Sequence, residues 1–142
     1  MPDEVIMRPV MLIEDNADDV LLTLRALRKH KVINEVVVAV DGDEAIRRLF
    51  DSDSVLPCLI LLDLKLPKIS GLEVLDRLRA DSRTKFVPVV VLTGSQEYED
   101  IMASYSKGAN AYVRKPVEFS EFAEAISILG KFWLLLNKIS SP

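Results

Sequence analysis

The sequence predicts an α/β fold in which helices cover both faces of a five-stranded parallel sheet. Short apolar runs rich in β-branched residues alternate with longer stretches in which apolar residues recur at helical spacing. The runs lack a polar residue at every second position, which is typical of strands buried on both faces. The length of 142 residues suits one domain. Strands and helices that alternate in this way form a doubly wound sheet.

The elements follow in order along the chain. The expected strands lie at 10–13, 36–40, 59–62, 89–92 and 111–113. The first helix begins behind Asn16, a favourable N-cap residue, and its apolar positions are Val20, Leu21, Leu24 and Leu27. It should end in the basic sequence 28–31, where cations, including His30, complement the helix dipole. The other helices are expected near 43–52, 71–81, 97–107 and 118–137.

The last expected helix carries two apolar stripes. At about 100° per residue, the first holds Phe119, Phe122, Ile126, Leu129, Trp133 and Leu136, and the second holds Ile128, Phe132, Leu135 and Ile139. A helix that packs against its own core needs only one apolar stripe, so the second stripe is available for another contact. We therefore expect a homodimer surface that includes Phe132, Trp133 and Leu135, because Trp and Phe are enriched in interfaces. The alternative is a helix end that packs back on its own domain.

Composition limits the class of partner and the compartment. The net charge of −4 and the isoelectric point near 5.1 argue against nucleic-acid binding, which depends on basic residues. Proteins or small ions are the more natural partners. The single cysteine, Cys58, lies in an apolar run and fits a buried side chain in a reducing cytoplasm. We expect a cytoplasmic protein with no signal peptide and no membrane span.

Polar residues with complementary chemistry follow the predicted strands. Glu14 and Asp15 follow the first, Asp63 the third, Thr93 the fourth and Lys115 the fifth. The carboxyl ends of parallel strands meet at one edge, so these groups should converge. Clustered carboxylates repel one another and call for a cation, and oxygen ligands suit Mg²⁺ better than zinc or copper. Phosphoryl transfer onto an aspartate, with a lysine beside it, is the hypothesis.

The same residues allow other interpretations. The acids could cap the following helices, although Asp63 precedes a loop. The glycines at 42, 71, 94, 108 and 130 are too far apart to form either the dinucleotide-binding motif G-x-G-x-x-G or the P-loop, which argues against a nucleotide-binding domain. An aspartyl-phosphate phosphatase needs a second acid two residues after its nucleophile, and Lys65 occupies that place.

The ordered set of motifs resembles the receiver domain of two-component response regulators, a flavodoxin-like fold. The resemblance covers nearly all of residues 8–137 and is carried by Glu14-Asp15, Asp63, Pro67, Gly71, Thr93-Gly94, Tyr112 and Lys115-Pro116. Ser70 stands where an Asp is common in that family. The expected unit is one receiver domain over 1–142, with its core at about 8–137 and its last helix extended to about 138.

The resemblance implies a role for each residue. Asp63 would be the phosphoacceptor. Asp15, Asp63 and the main-chain carbonyl of Lys65 would bind Mg²⁺, and Glu14 would reach the ion through water. Thr93 and Lys115 would hold the phosphoryl oxygens, and small Gly94 would leave room beside them. Thr93 and Tyr112 would form the switch, and the bond before Pro116 would be a cis peptide, as the family has it. Such a protein is a phosphoacceptor that assists its own phosphorylation and dephosphorylation, not an enzyme.

The resemblance also suggests partners. A receiver works with a sensor histidine kinase or a phosphotransfer protein, and no DNA-binding domain is expected here. The sequence Gly130-Lys131-Phe132-Trp133 is similar to that of stand-alone regulators that serve phytochrome-type kinases. A pseudo-receiver, an interaction module with an inert site, is the alternative.

Overall fold

Five strands alternate with five α-helices, as the sequence predicts. The computed structural model describes residues 8–29, 34–94, 97–115 and 119–136. In chain order the elements are β1 Val10–Ile13, α1 Ala17–Lys29, β2 Val36–Ala39, α2 Gly42–Leu49, β3 Leu59–Leu62, α3 Gly71–Ala80, β4 Val89–Thr93, α4 Tyr98–Ser106, β5 Ala111–Arg114 and α5 Phe119–Gly130. Within these ranges, none of the helices combines the length and apolar character that a bilayer span requires.

All strand pairs are parallel, and the strand order is β2-β1-β3-β4-β5. The expected doubly wound α/β fold is therefore confirmed. From β1 the chain turns to one side for β2 and to the other for β3, so the order changes direction beside β1. Ile13 pairs with Leu62, the last residues of β1 and β3. Ligands of such sheets bind at the carboxyl ends of the strands at this point.

Two buried clusters hold the helices on the sheet. Alternate residues of each central strand point to opposite faces, so Ile60 and Leu62 join one cluster while Leu59 and Leu61 join the other. The first cluster receives side chains from α2 and α3, and the second from α1 and α5. The sheet is thus covered on both sides, as its apolar runs predict.

Side chains cap the helices at predictable positions. Asn16 Oδ1 accepts the main-chain N–H of Asp19 at 3.0 Å, which confirms its role at the start of α1. Ser70 accepts the N–H of Glu73 at the start of α3, so the residue that departs from the family pattern is a helix cap here. The helix expected over 43–52 ends earlier, at Leu49, because Asp51 folds its side chain back onto the N–H of Asp53 and begins a turn. The predicted basic end of the first helix at His30 lies outside the described residues.

The last helix departs from the uniform α-helix expected over 118–137. It is α-helical to Gly130 and continues as a π-helix over Lys131–Leu136. Glycine is a poor helix former, and the change of winding follows it directly. The fixed angle per residue that sorted the two stripes therefore does not hold beyond Gly130. Trp133 packs against the second core cluster, while Phe132 stays about half exposed.

Gly71 supports the loop that follows β3. A Cβ atom there would overlap the carbonyl oxygen of Asp63 and lie 2.7 Å from the Cα of Leu64. Because backbone atoms cannot move aside cheaply, we expect Gly71→Ala to lower the free energy of unfolding by about 2–3 kcal/mol. Gly94→Ala is the matched control, since its Cβ would meet no described atom within 4 Å. Urea unfolding measures both, and equal losses would contradict the close contact at Gly71.

Candidate functional site

Glu14 and Asp63 lie side by side at the carboxyl ends of the two central strands. The main-chain N–H of Asp63 donates to the carbonyl of Ile13 at 3.0 Å, which holds the carboxyl ends of β1 and β3 side by side. Glu14 is 2% exposed and Asp63 is 9% exposed, whereas Asp15 points to solvent. One carboxylate oxygen from each of the three acids lies within 4.8 Å of the others. The structure thus brings together the acids that the sequence placed at two strand ends.

Lys115 completes the cluster from β5. Its main-chain N–H donates to the carbonyl of Thr93 at 2.7 Å, so Lys115 lies at the shared carboxyl end of β4 and β5. Its ammonium nitrogen contacts a carboxylate oxygen of Glu14, lies 2.9 Å from Asp19 Oδ2 and 3.4 Å from Asp63 Oδ2. The side chain is only 11% exposed, so water screens these ion pairs weakly.

Burial controls the electrostatics of the cluster. Desolvation raises the pKa of Glu14 to about 7, although the hydrogen bond from Lys115 opposes the shift. Burial alone lowers the pKa of Lys115, but its hydrogen bonds to Glu14 and Asp19 outweigh that effect and raise it. The lysine therefore stays protonated near neutral pH, while Glu14 is poised to exchange a proton.

The donor set fits a hard divalent cation. Glu14, Asp15 and Asp63 offer only oxygen atoms, and the described residues place no imidazole or thiolate among them. Three neighbouring carboxylates with one ammonium leave excess negative charge, which a divalent ion would compensate. Lys65 follows closely, and its N–H donates to Asp63 Oδ1 at 3.3 Å. That the main-chain carbonyl of Lys65 binds the metal stays a prediction.

The interpretation of these acids as helix caps is wrong for Glu14 and Asp63. Asn16 caps α1 and Ser70 caps α3. Glu14 instead accepts the N–H of Asn16 at 3.2 Å through the oxygen that does not face Lys115. Both carboxylates are therefore held in place by main-chain donors in the site.

The predicted switch residues lie on β4, which pairs with β3, and on β5, the next strand outward. Thr93 is the last residue of β4 and is buried, and Tyr112 on β5 is partly buried against the first core cluster. Tyr112 pairs with Val91 in the sheet. This placement suits both a switch and a packing role for the ring, so the switch stays a prediction. Pro116 and its expected cis peptide lie outside the described residues.

Asp19 is the member of the cluster that sequence reasoning missed. As one of two acids in the first turn of α1, it is explained by the helix dipole alone. Its side chain nevertheless reaches Lys115 across 96 positions of sequence. The sequence signal that could have indicated its role is its position, three residues after Asn16, which places it in the first turn of the helix that follows Glu14-Asp15.

The expected dimer residues divide between surface and core. Phe132 and Ile128 are exposed at 48% and 61%, and the Phe132 ring meets Trp133 edge-on with centroids 5.0 Å apart. Trp133 is partly buried on its own domain. The side chain of Leu135 lies outside the described part. Only part of the predicted surface is therefore open to a partner.

Several known proteins have a similar sequence and the same fold. Response regulator Rcp1 of Synechocystis sp. is 34% identical over 129 residues, which span 88% of each protein. The crystal structure of the phosphorylated cyanobacterial phytochrome response regulator RcpA has a TM-score of 0.90 at 37% identity, covering 95% of this chain and 99% of the other. The bacteriophytochrome response regulator AtBRR is 48% identical with a TM-score of 0.72, covering 93% of this chain and 99% of the other.

A structure of Rcp1 in its Mn²⁺-bound form, with a TM-score of 0.89 at 32% identity over 94% of this chain and 99% of the other, agrees with an acidic cluster that can hold a divalent cation. Residues 10–127 match the response regulator receiver domain as a family. The chain belongs to the response regulator receiver domains and is related to phytochrome response regulators.

Proposed function

We propose that the chain is a phosphorylation-dependent signalling switch in which Asp63 accepts a phosphoryl group from a sensor histidine kinase or a phosphotransfer protein. The observation that carries this proposal is the convergence on Asp63 of one ammonium and two further carboxylates from separate strand ends. The acids of this cluster repel one another, which destabilises the fold, and such costs are typical of functional sites.

The reaction balances with the groups present. A carboxylate oxygen of Asp63 attacks the phosphorus of a phosphohistidine, a P–O bond forms and the P–N bond breaks. The ring nitrogen keeps the electron pair of the P–N bond and, with a proton already on the other ring nitrogen, leaves as neutral imidazole, and the product is an acyl phosphate on Asp63. Lys115 already lies 3.4 Å from the attacking carboxylate, and its positive charge favours the charge that develops on the phosphoryl oxygens. Thr93, at the end of the neighbouring strand, is the second group proposed to bind those oxygens.

We assign Mg²⁺ as the cation. Asp15, Asp63 and the carbonyl of Lys65 would hold it directly, with Glu14 acting through water. When bound, the ion neutralises phosphoryl charge and offsets the repulsion among the acids. The residues themselves orient the carboxylate of Asp63 and hold Lys115 beside it.

The partners are inferred from the relatives. RcpA and AtBRR are described as phytochrome and bacteriophytochrome response regulators, and RcpA is described as phosphorylated. We propose a cytoplasmic kinase of the phytochrome type as the phosphoryl donor. Thr93 and Tyr112 would then transmit the new charge to the face formed by α4 and β5, whose conformation sets the affinity for a target protein.

The test is incubation with acetyl phosphate and Mg²⁺, followed by intact mass measurement. We expect the wild-type chain to gain one phosphoryl group and to gain none when EDTA replaces the metal. Because acetyl phosphate bypasses the kinase, a negative result with correctly folded protein would favour the inert pseudo-receiver. Phosphotransfer from candidate histidine kinases then tests the proposed partner.

Self-association is the second part of the proposal. Phe132 and Ile128 offer exposed apolar area near the end of the last helix, whereas Trp133 contributes to the core. We expect Phe132→Glu to shift sedimentation from dimer to monomer, because a charge would replace a ring in the interface. Phe86→Glu, which changes a more exposed ring elsewhere on the surface, is the control. A monomeric wild type at all concentrations, phosphorylated or not, would exclude the dimer.

A further inference from the structure

We infer that Asp19 is a positioning residue that aims the Lys115 ammonium at the phosphoacceptor. The inference rests on the proposed phosphorylation of Asp63 and adds a residue to that reaction. Lysine has a flexible four-carbon side chain, so its ammonium holds a position only where fixed acceptors surround it. At this site the acceptors are three carboxylates that arrive from α1 and from the ends of β1 and β3.

The backbone of Asp19 is held on both sides. Its N–H donates to Asn16 Oδ1 at 3.0 Å, and its carbonyl accepts the hydroxyl of Thr23 at 2.8 Å. Thr23 is 1% exposed, so the second bond lies within the packed face of α1. The carboxylate of Asp19 therefore extends toward Lys115 from a rigid first turn, not from a mobile loop.

The three contacts use the three N–H donors of the ammonium. Glu14 is itself fixed by the N–H of Asn16 at 3.2 Å, so it and Asp19 form a firm pair of acceptors. With two donors held there, the third is directed at Asp63 Oδ2, the longest contact at 3.4 Å. That longer contact is the one that a phosphoryl oxygen would replace. Without Asp19, Glu14 would be the one acceptor left besides Asp63 itself, and the ammonium would sample positions away from Asp63.

Rates of phosphorylation by acetyl phosphate test this role. We expect Asp19→Ala to lower the rate constant for Asp63 phosphorylation about tenfold, because a catalytic group misplaced by about 1 Å can cost about 100-fold and Glu14 still holds the lysine in part. The Mg²⁺ concentration at half-maximal rate should change less than the rate constant. Asp19→Asn retains an oxygen acceptor and should restore most of the rate. Asp18→Ala is the matched control, since it removes an exposed acid from the same helical turn.

A second measurement does not depend on phosphorylation. In ¹⁵N NMR of lysine ammonium groups, the Lys115 signal should be visible in the wild type and in Asp18→Ala, and should be lost to solvent exchange in Asp19→Ala. Lys115→Arg assigns the signal. An unchanged signal and rate in Asp19→Ala would overturn the inference, and so would equal impairment of the Asn and Ala variants. Failure of the wild type to be phosphorylated would instead count against the proposed function alone.

Discussion

Asp63→Asn is expected to abolish the gain of a phosphoryl group from acetyl phosphate. The amide lacks the anionic oxygen that attacks phosphorus, and Glu14, the other buried acid in contact with Lys115, lies at the end of β1 and is not expected to replace it. The side chain keeps its shape, and its oxygen can still accept the N–H of Lys65. Removing one of three repelling carboxylates should leave the free energy of unfolding unchanged or slightly higher. Intact mass and urea unfolding measure the two effects.

Asp76→Asn is the control for this variant. Asp76 is an exposed acid of α3 that pairs with Lys107 at 2.7 Å, so its loss should leave phosphorylation intact. A full phosphoryl gain by Asp63→Asn would place the acceptor elsewhere. Asp15 would be the first alternative, because it is the exposed member of the same cluster, and a double variant would decide.

The sequence was sufficient to predict the sheet and most of the site. Continuous apolar runs such as Leu59–Leu62 are covered on both faces, and such runs leave few alternatives to a parallel strand. Once the strands are parallel, polar residues that follow them must meet at one edge. The proximity of Glu14, Asp63 and Lys115 follows from that rule without any knowledge of side-chain conformation.

The contacts that the sequence did not predict depend on how elements dock. Asp19 satisfies the rules for a first helical turn, and nothing in its local sequence shows that α1 brings it to the end of β5. The π-helix after Gly130 likewise departs from a fixed helical angle, so the packing of Trp133 against the second core cluster is visible only in the structure. The register that sets Ile13 opposite Leu62 also becomes visible only in three dimensions.

Lys115→Met is expected to destabilise the protein in a pH-dependent way. The substitution keeps the apolar part of the side chain but leaves Glu14 and Asp63 without their cation. Removing one partner of a buried ion pair costs about 3–5 kcal/mol, and because Glu14 can take up a proton when its cation is lost, we expect a loss of about 2–3 kcal/mol at pH 8. Urea unfolding without Mg²⁺ measures it. Added Mg²⁺ should recover part of the loss, since it supplies positive charge to the same acids.

The sign of the pH dependence follows from Glu14. Its pKa is raised to about 7 in the folded protein, so its contribution to stability is fully present below its ordinary value of 4.5 and is lost as pH rises through 7. Without Lys115 the pKa of Glu14 rises further, and the cost of ionising it appears at higher pH. The difference between variant and wild type should therefore be small at pH 5 and grow toward pH 8.

A surface lysine provides the comparison for Lys115. Lys107→Met removes the exposed ion pair with Asp76 and should cost no more than about 1 kcal/mol, with little dependence on pH. An equal loss of stability in Lys115→Met at pH 5 and pH 8 would contradict the proposed dependence on the ionisation of Glu14. A loss that grows with pH would instead show that the charge of Lys115 stabilises the ionised form of Glu14 beside the phosphoacceptor.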